Sequence, residues 1–125
     1  MNAKDLLNNS TLVAFIPSEA LAIAVETGAT TDLGGVGRKI LMAINAGVPA
    51  AGGLIDVVVS ESDDNFVADD TVLHTFAQIS AASLVEADLA PNKRYVRVVA
   101  TVTVAVFTAG VTGIIYLERE IPSGI

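Results

Sequence analysis

The chain has 125 residues, of which 52% are hydrophobic and 17% are charged, so it can bury the core of one compact domain. This composition argues against intrinsic disorder. The formal net charge of −7 argues against a nucleic-acid-binding protein, which usually carries a basic patch. The absence of cysteine excludes disulfides, thiol catalysis and cysteine-ligated metal sites. Because charged residues are scarce, we expect some apolar surface to face a partner.

The N-terminal third begins with a polar segment and continues with strand patterns. Residues 1–10 predict a flexible arm that a neighbouring molecule would order. Residues 11–16 predict a short strand ended by Pro17, and residues 20–26 predict the next strand. Residues 27–37 are rich in glycine but lack the spacing of a phosphate-binding loop, so they predict a long turn.

The middle of the chain alternates between apolar and polar residues with a period of two, which is typical of strands. Residues 38–45 predict one strand, with Ile40, Met42 and Ile44 on a single face. Residues 54–61 predict the next strand and residues 71–79 the returning one. An acidic turn joins these last two strands.

The C-terminal part holds one ambiguous segment and one long apolar segment. Residues 80–89 fit either a bent strand or a helical turn. Residues 98–117 carry no charge and are long enough to span a bilayer as a helix. Valines alternate with smaller residues there, so we instead predict a strand over residues 93–107, a turn over 108–113 and a last strand over 113–120.

These elements predict an all-β protein of about eight short strands. The spacing of turns favours an antiparallel β-sandwich, with a jelly roll as the favoured form. We expect one domain over residues 11–125, preceded by the arm of residues 1–10. We expect neither a membrane segment nor a nucleic-acid partner.

The acidic turn is the best candidate for a chemical site, because calcium binds to several carboxylate oxygens at once. The side chains concerned are Glu61, Asp63, Asp64, Asp69 and Asp70. The helix-loop-helix calcium pattern is absent, since Val67, Ala68 and His74 occupy positions that the pattern reserves for other residues. A solvated turn between two strands is the alternative interpretation, and we predict no metal as the default.

Catalytic patterns are weak throughout the chain. Paired carboxylates could serve glycoside hydrolysis, but the chain has no tryptophan to line a sugar cleft. His74 is the single histidine, and no Gly-x-Ser-x-Gly motif accompanies it. We therefore expect no enzyme activity and no cofactor.

Two arginines, Arg94 and Arg97, lie at the start of the predicted long strand. Arginine in a sheet usually pairs with a carboxylate, and Glu61 or Asp63 is the expected partner. A salt bridge between subunits is the alternative role for both arginines.

Several strand ends and turns resemble those of capsid decoration, or cement, proteins of tailed bacteriophages. The main features are Glu61-Ser62-Asp63-Asp64 before an aromatic residue, and Arg94-Tyr95-Val96-Arg97 at the start of a long strand. The resemblance covers roughly residues 29–117. It implies a jelly-roll or sandwich domain, often trimeric, that bridges capsid subunits on the outside of the phage head.

The resemblance also implies partners and contact residues. The chain would bind the major capsid protein and itself as a homotrimer, on the capsid surface of the virion, after synthesis in the host cytoplasm. The expected contacts are Lys4, Leu6 and Leu7 of the arm, together with Arg94 and Arg97. Two alternatives remain open: a head-to-tail connector or tail protein, and a calcium- or sugar-binding β-sandwich module.

Overall fold

The computed structural model describes residues 10–34 and 38–117, and within these residues it is built of strands without helices. The strands are β1 (Ser10–Leu21), β2 (Val25–Thr27), β3 (Thr31–Asp32), β4 (Arg38–Ala46), β5 (Leu54–Ser62), β6 (Thr71–Thr75), β7 (Ser83–Leu89), β8 (Tyr95–Thr103) and β9 (Phe107–Leu117).

The strands form two antiparallel sheets whose order is that of a jelly roll. The first sheet has the order β1-β9-β4-β7, and the second has the order β2-β8-β5-β6. β3 extends the edge formed by β2, because both pair with β8. The predicted all-β sandwich is therefore confirmed, and the strand order selects the double Greek-key arrangement.

The core lies between the two sheets and is made of one face of each strand. In β4, the side chains of Ile40, Met42 and Ile44 are fully buried, as their alternation predicted. In the second sheet, Val57 of β5 and Val98 of β8 occupy the corresponding inner face. Neighbouring residues on the outer faces are half-buried or exposed, so each sheet has one buried side.

The prediction that Pro17 ends the first strand is wrong. β1 continues through this proline to Leu21, with register shifts on either side of Ile16. β1 is an edge strand of its sheet, and Pro17 lies in the irregular stretch between Ile16 and Glu19, so its missing N–H is tolerated there. The first register shift also explains why the consecutive residues Phe15 and Ile16 are both buried.

The predicted turn over residues 108–113 is also wrong. The chain reverses earlier, over residues 104–106, and β9 runs without interruption from Phe107 to Leu117. Val104 adopts a φ angle of 73° at this reversal. The long uncharged segment, residues 98–117, therefore forms the second part of β8 and the whole of β9. The described residues contain no helix long and apolar enough to cross a bilayer.

Three further boundaries differ from or refine the predictions. β6 ends at Thr75, and Ile79 makes only an isolated bridge with Ile55. The ambiguous segment 80–89 forms the strand β7 rather than a helical turn. The predicted arm lies outside the described residues except for Ser10, which begins β1.

The connections between strands gather at two opposite ends of the sandwich. The connections 22–24, 47–53, 76–82 and 104–106 lie at one end, which we call the apolar end. Hydrogen bonds join them to one another and to the strands there, as between Ala50 N–H and Val106 O (3.1 Å). The connections 63–70 and 90–94 lie at the opposite end together with β3, and we call this the charged end.

Candidate functional site

The acidic turn at the charged end is built around the buried hydroxyl of Ser62. This hydroxyl donates to Asp64 Oδ1 at 2.9 Å and accepts the backbone N–H groups of Asp64 (3.1 Å) and Phe66 (2.9 Å). Asn65 and Phe66 have φ angles of 58° and 60°, which reverse the chain direction tightly. The turn is therefore a hydrogen-bonded structure with a defined shape.

Carboxylates inside the turn accept its own backbone N–H groups. Asp64 accepts from Ala68 (3.0 Å) and Asp69 (3.1 Å), and Asp69 accepts from Asp63 (2.9 Å). The hydrogen bond from Ser62 is the main reason why the pKa of Asp64 is lowered. The carboxylates therefore satisfy backbone N–H groups of the turn that have no partner in a strand.

Lys93 fastens the turn to the segment that precedes β8. Its Nζ lies 2.8 Å from both carboxylate oxygens of Asp69 and 2.9 Å from the hydroxyl of Thr71. The hydrogen bond from Lys93, with those from Asp63 N–H and Thr71, lowers the pKa of Asp69 to about 2. The same pairing raises the pKa of Lys93.

Arg97 forms a second attachment of the turn to β8. Its Nη2 donates to Asp70 Oδ2 at 2.9 Å, and its guanidinium lies 4.1 Å from the centre of the Phe66 ring. Phe66 therefore covers the cation while Asp70 neutralises it, an arrangement that combines a cation–π contact with an ion pair. Arg97 Nε is buried and has no hydrogen-bond partner among the described residues.

Arg94, just before β8, binds to the neighbouring strand β3, which lies at the edge of the second sheet away from β6. Its Nε and Nη2 donate to the two oxygens of Asp32 at 2.8 and 2.9 Å, a bidentate pair. This pairing, with the N–H of Gly34, lowers the pKa of Asp32 to about 2. The ion pair therefore holds β3 beside the start of β8.

The arginine partners differ from the sequence prediction, which named Glu61 or Asp63. Arg94 pairs with Asp32 and Arg97 with Asp70. Glu61 instead points inward at 5% exposure, and its Oε2 accepts the N–H of Asn92 at 2.8 Å. The side-chain alternation of β5 explains this, because Glu61 pairs with the buried Val96 and thus shares the core face.

The five acidic residues proposed for calcium have separate surroundings. Glu61 is buried, and Asp64, Asp69 and Asp70 have the partners given above. Within residues 10–34 and 38–117, no three acidic or histidine side chains are grouped as metal ligands. Calcium binding by this turn stays an untested alternative to the default of no metal, and the carboxylates of Asp64, Asp69 and Asp70 hold the turn in shape.

Other sequence candidates contribute packing or lie elsewhere. The His74 ring stands edge-on to Phe76, with ring centres 4.6 Å apart. Lys4, Leu6 and Leu7 lie outside the described residues. The residues that are brought together, Asp69 with Lys93 and Asp70 with Arg97, can fix a surface loop in one shape.

The depressed carboxylate pKa values predict a definite acid sensitivity. An aspartate that titrates at about 2 when folded and near 3.8 when unfolded stabilises the fold above pH 3.8. This stabilisation is lost as the pH falls through that interval towards 2. We expect the urea midpoint of the wild-type chain to fall between pH 4 and pH 2, by a modest amount for each pair because both aspartates are partly exposed to solvent.

Asp69→Asn and Lys93→Met separate this effect from general acid unfolding. Each variant should have a lower urea midpoint than the wild type at pH 7, because each removes one side of the ion pair. The two curves should approach the wild-type curve as the pH falls to 2 and below, because Asp69 then becomes protonated in the folded wild type as well. Variant curves that run parallel to the wild-type curve at every pH would contradict this assignment.

Comparison with solved structures shows that the fold is shared with viral and phage-related proteins. The PBSX exported protein XepA aligns with 100% of this chain and 42% of its own, at 19% identity and a TM-score of 0.69. The VP2 subviral particle of infectious bursal disease virus aligns with 87% of this chain and 32% of its own, at 7% identity and a TM-score of 0.61. The same virus in its Gx strain aligns over 92% and 33%, at 5% identity and a TM-score of 0.60.

These similarities concern the fold. No family model and no curated protein matches the sequence. The chain spans about a third to two-fifths of the length of these three solved structures. In each of them, therefore, the jelly roll is one part of a longer chain.

Proposed function

We propose that this chain is a structural protein of a virus particle, and specifically a decoration protein on the outside of a tailed-phage head. The observation that carries the proposal is the jelly-roll strand order, which aligns along most of the chain with a viral capsid protein and with the PBSX exported protein XepA. A jelly roll also serves lectins and other proteins, so the order alone does not determine the role.

The surface chemistry supports a binding role over a catalytic one. The aspartates of the acidic turn that have partners accept hydrogen bonds or pair with cations, and the turn is thereby held in one shape. A sandwich whose loops are already ordered loses little conformational entropy when it attaches to another protein. The major capsid protein and further copies of this chain, as a homotrimer, are the partners we propose.

The composition of purified particles tests this function. Particles from a strain that encodes the chain would be purified on a density gradient and quantified by mass spectrometry against the major capsid protein. A decoration protein should be present in a number comparable with the capsid subunits. A number that fits one ring would indicate a connector or tail protein, and absence from the particles would refute the virion role.

The predicted arm gives a second test. Deleting residues 2–9 should weaken attachment to heads while leaving the melting temperature unchanged, because β1 begins at Ser10. The double variant Leu6→Ser/Leu7→Ser should show part of the same loss, since burial of apolar side chains at a contact is favourable. Head binding would be measured by co-sedimentation, and a truncated chain that binds with unchanged affinity would contradict the role of the arm.

A further inference from the structure

Charged residues are distributed unequally between the two ends of the sandwich. The four connections of the apolar end contain only small, apolar or uncharged polar residues, over positions 22–24, 47–53, 76–82 and 104–106. Every lysine and arginine within the described residues lies in the half of the molecule nearer the charged end. They are Arg38 and Lys39 at the start of β4, Lys93 and Arg94 before β8, and Arg97 within it.

The apolar end also exposes large aliphatic side chains. Val48 is 81% exposed, Val104 64% and Ile23 58%, and they come from three different connections. Two of these connections contact each other, since the position of a Cβ on Gly52 would lie 3.2 Å from Val104 Cγ1. The third is bonded to the end of β8 beside them, where Val102 N–H donates to Ala24 O at 3.0 Å. The exposed side chains therefore belong to one continuous surface, which is the kind of patch that marks a contact site.

The charges nearest to this surface are all acidic. Glu19 lies opposite Ala109 in the first sheet, while Glu26 and Asp56 lie opposite Ala100 and Thr101 in the second sheet. Asp56 accepts a hydrogen bond from Gln78 at 3.1 Å. Glu19 and Glu26 are exposed and form no ion pair within the described residues, whereas at the charged end Asp32, Asp69 and Asp70 each pair with a cation.

We propose that the apolar end is a docking surface for a protein whose contact patch is apolar and is bordered by lysine or arginine. An uncharged centre with a charged rim is the usual organisation of a protein interface. The exposed carboxylates of Glu19 and Glu26, which form the rim of the apolar end, favour a partner whose own border is basic, because like charges in apposition oppose binding. The identity of the partner rests on the function proposed above: it is the outer surface of the phage shell.

Two other occupants fit these observations less well. A second copy that docked end to end would bring the rim carboxylates of both copies together, and each copy carries a net charge of −7. A lipid surface is usually approached by tryptophan, tyrosine and basic residues. The apolar end has none of these, and its acidic rim would be repelled by anionic lipids.

A matched pair of valines tests the docking surface. Val48 at the apolar end and Val67 at the charged end are both loop residues, with exposures of 81% and 85%. The probe is a purified head of the encoding phage from a strain that lacks this chain, and binding is measured by co-sedimentation. We expect Val48→Asn to weaken binding at least about tenfold and Val67→Asn to change it less than about twofold. Both variants should keep the wild-type melting temperature.

The rim supplies a second readout. Wild-type binding should weaken as sodium chloride is added, because opposite charges are screened. The double variant Glu19→Lys/Glu26→Lys should bind more weakly at low salt and should lose this salt dependence.

The outcomes separate the docking surface from the proposed function. If the wild type binds heads but Val48→Asn binds equally well, or Val67→Asn fails equally, the docking surface is refuted and the virion role stands. If the wild type does not bind heads, the decoration role fails, and the partner proposed here fails with it. A change in the solution mass of Val48→Asn would assign the surface to a second copy instead. Flotation of the wild type with phosphatidylglycerol vesicles would assign it to lipid.

Discussion

Replacing Phe15 by alanine is expected to lower the free energy of unfolding by about 3–5 kcal/mol, the range found for large aromatic residues in cores. Phe15 is 1% exposed, although it belongs to the edge strand β1. Its ring lies over Gly113 of β9, and its backbone approaches Gly28, which follows β2 in the second sheet. Removing the ring would leave a cavity where the two sheets meet.

Leu12→Ala is the control for this prediction, because Leu12 lies on the same strand with 75% of its surface exposed. Its replacement should change the free energy of unfolding by less than about 0.5 kcal/mol. Urea unfolding of both variants would measure the difference. If the two variants lost similar stability, the buried placement of Phe15 would be wrong.

Replacing Gly28 by alanine is the second large effect that we expect. An added Cβ would collide with the carbonyl oxygen of Phe15 and would lie 3.2 Å from Ile16 Cγ1. Gly28 N–H also donates to Val98 O at 2.8 Å, so its backbone cannot move away without breaking this bond. We expect a loss of about 3 kcal/mol, the upper end of the usual cost of overpacking.

Gly113→Ala provides a contrast, because its added Cβ would meet side chains rather than backbone. The nearest atoms are Phe15 Cε2 at 2.7 Å and Ile40 Cγ2 at 3.0 Å. Combining Gly113→Ala with Phe15→Leu should therefore cost less than the sum of the two single changes. Combining Gly28→Ala with Phe15→Leu should show little such compensation. Equal coupling in both cycles would contradict these assigned contacts.

Alternation of side chains was sufficient to predict two of the four strands that lie inside the sheets, β4 and β5. Residues 38–45 and 54–61 correspond closely to β4 and β5, since one face of each is apolar and the other is mixed. The same alternation identified Ile40, Met42 and Ile44 as core residues. β4 and β5 are each paired with a strand on both sides. Their side chains therefore alternate between the core face and the outer face in the structure, with the same period of two that the sequence shows.

Proline and glycine misled the prediction, because their meaning depends on tertiary position. Pro17 is tolerated in β1 since this strand has a free edge. Gly110 and Gly113 lie within β9 because Ser18 and Phe15 come too close for a side chain there. A sequence alone does not distinguish a glycine needed for a turn from one needed for close approach.

The acidic turn was located correctly, but its partners were not. Lys93 is 24 positions from Asp69, Arg97 is 27 positions from Asp70, and Arg94 is 62 positions from Asp32. Such pairs depend on how the sheets place distant loops side by side. The apolar end was also missed, because its four connections are far apart in sequence and each one alone is an ordinary turn.

The position of the last two strands has a consequence for biosynthesis. β9 lies between β1 and β4, and β8 lies between β2 and β5, so the two strands of the sandwich that are made last are interior strands of both sheets. A nascent chain that ends before Tyr95 can form only the peripheral pairings of β4 with β7 and of β5 with β6. Its apolar strands must remain exposed until β8 and β9 have been made, which favours slow folding and aggregation.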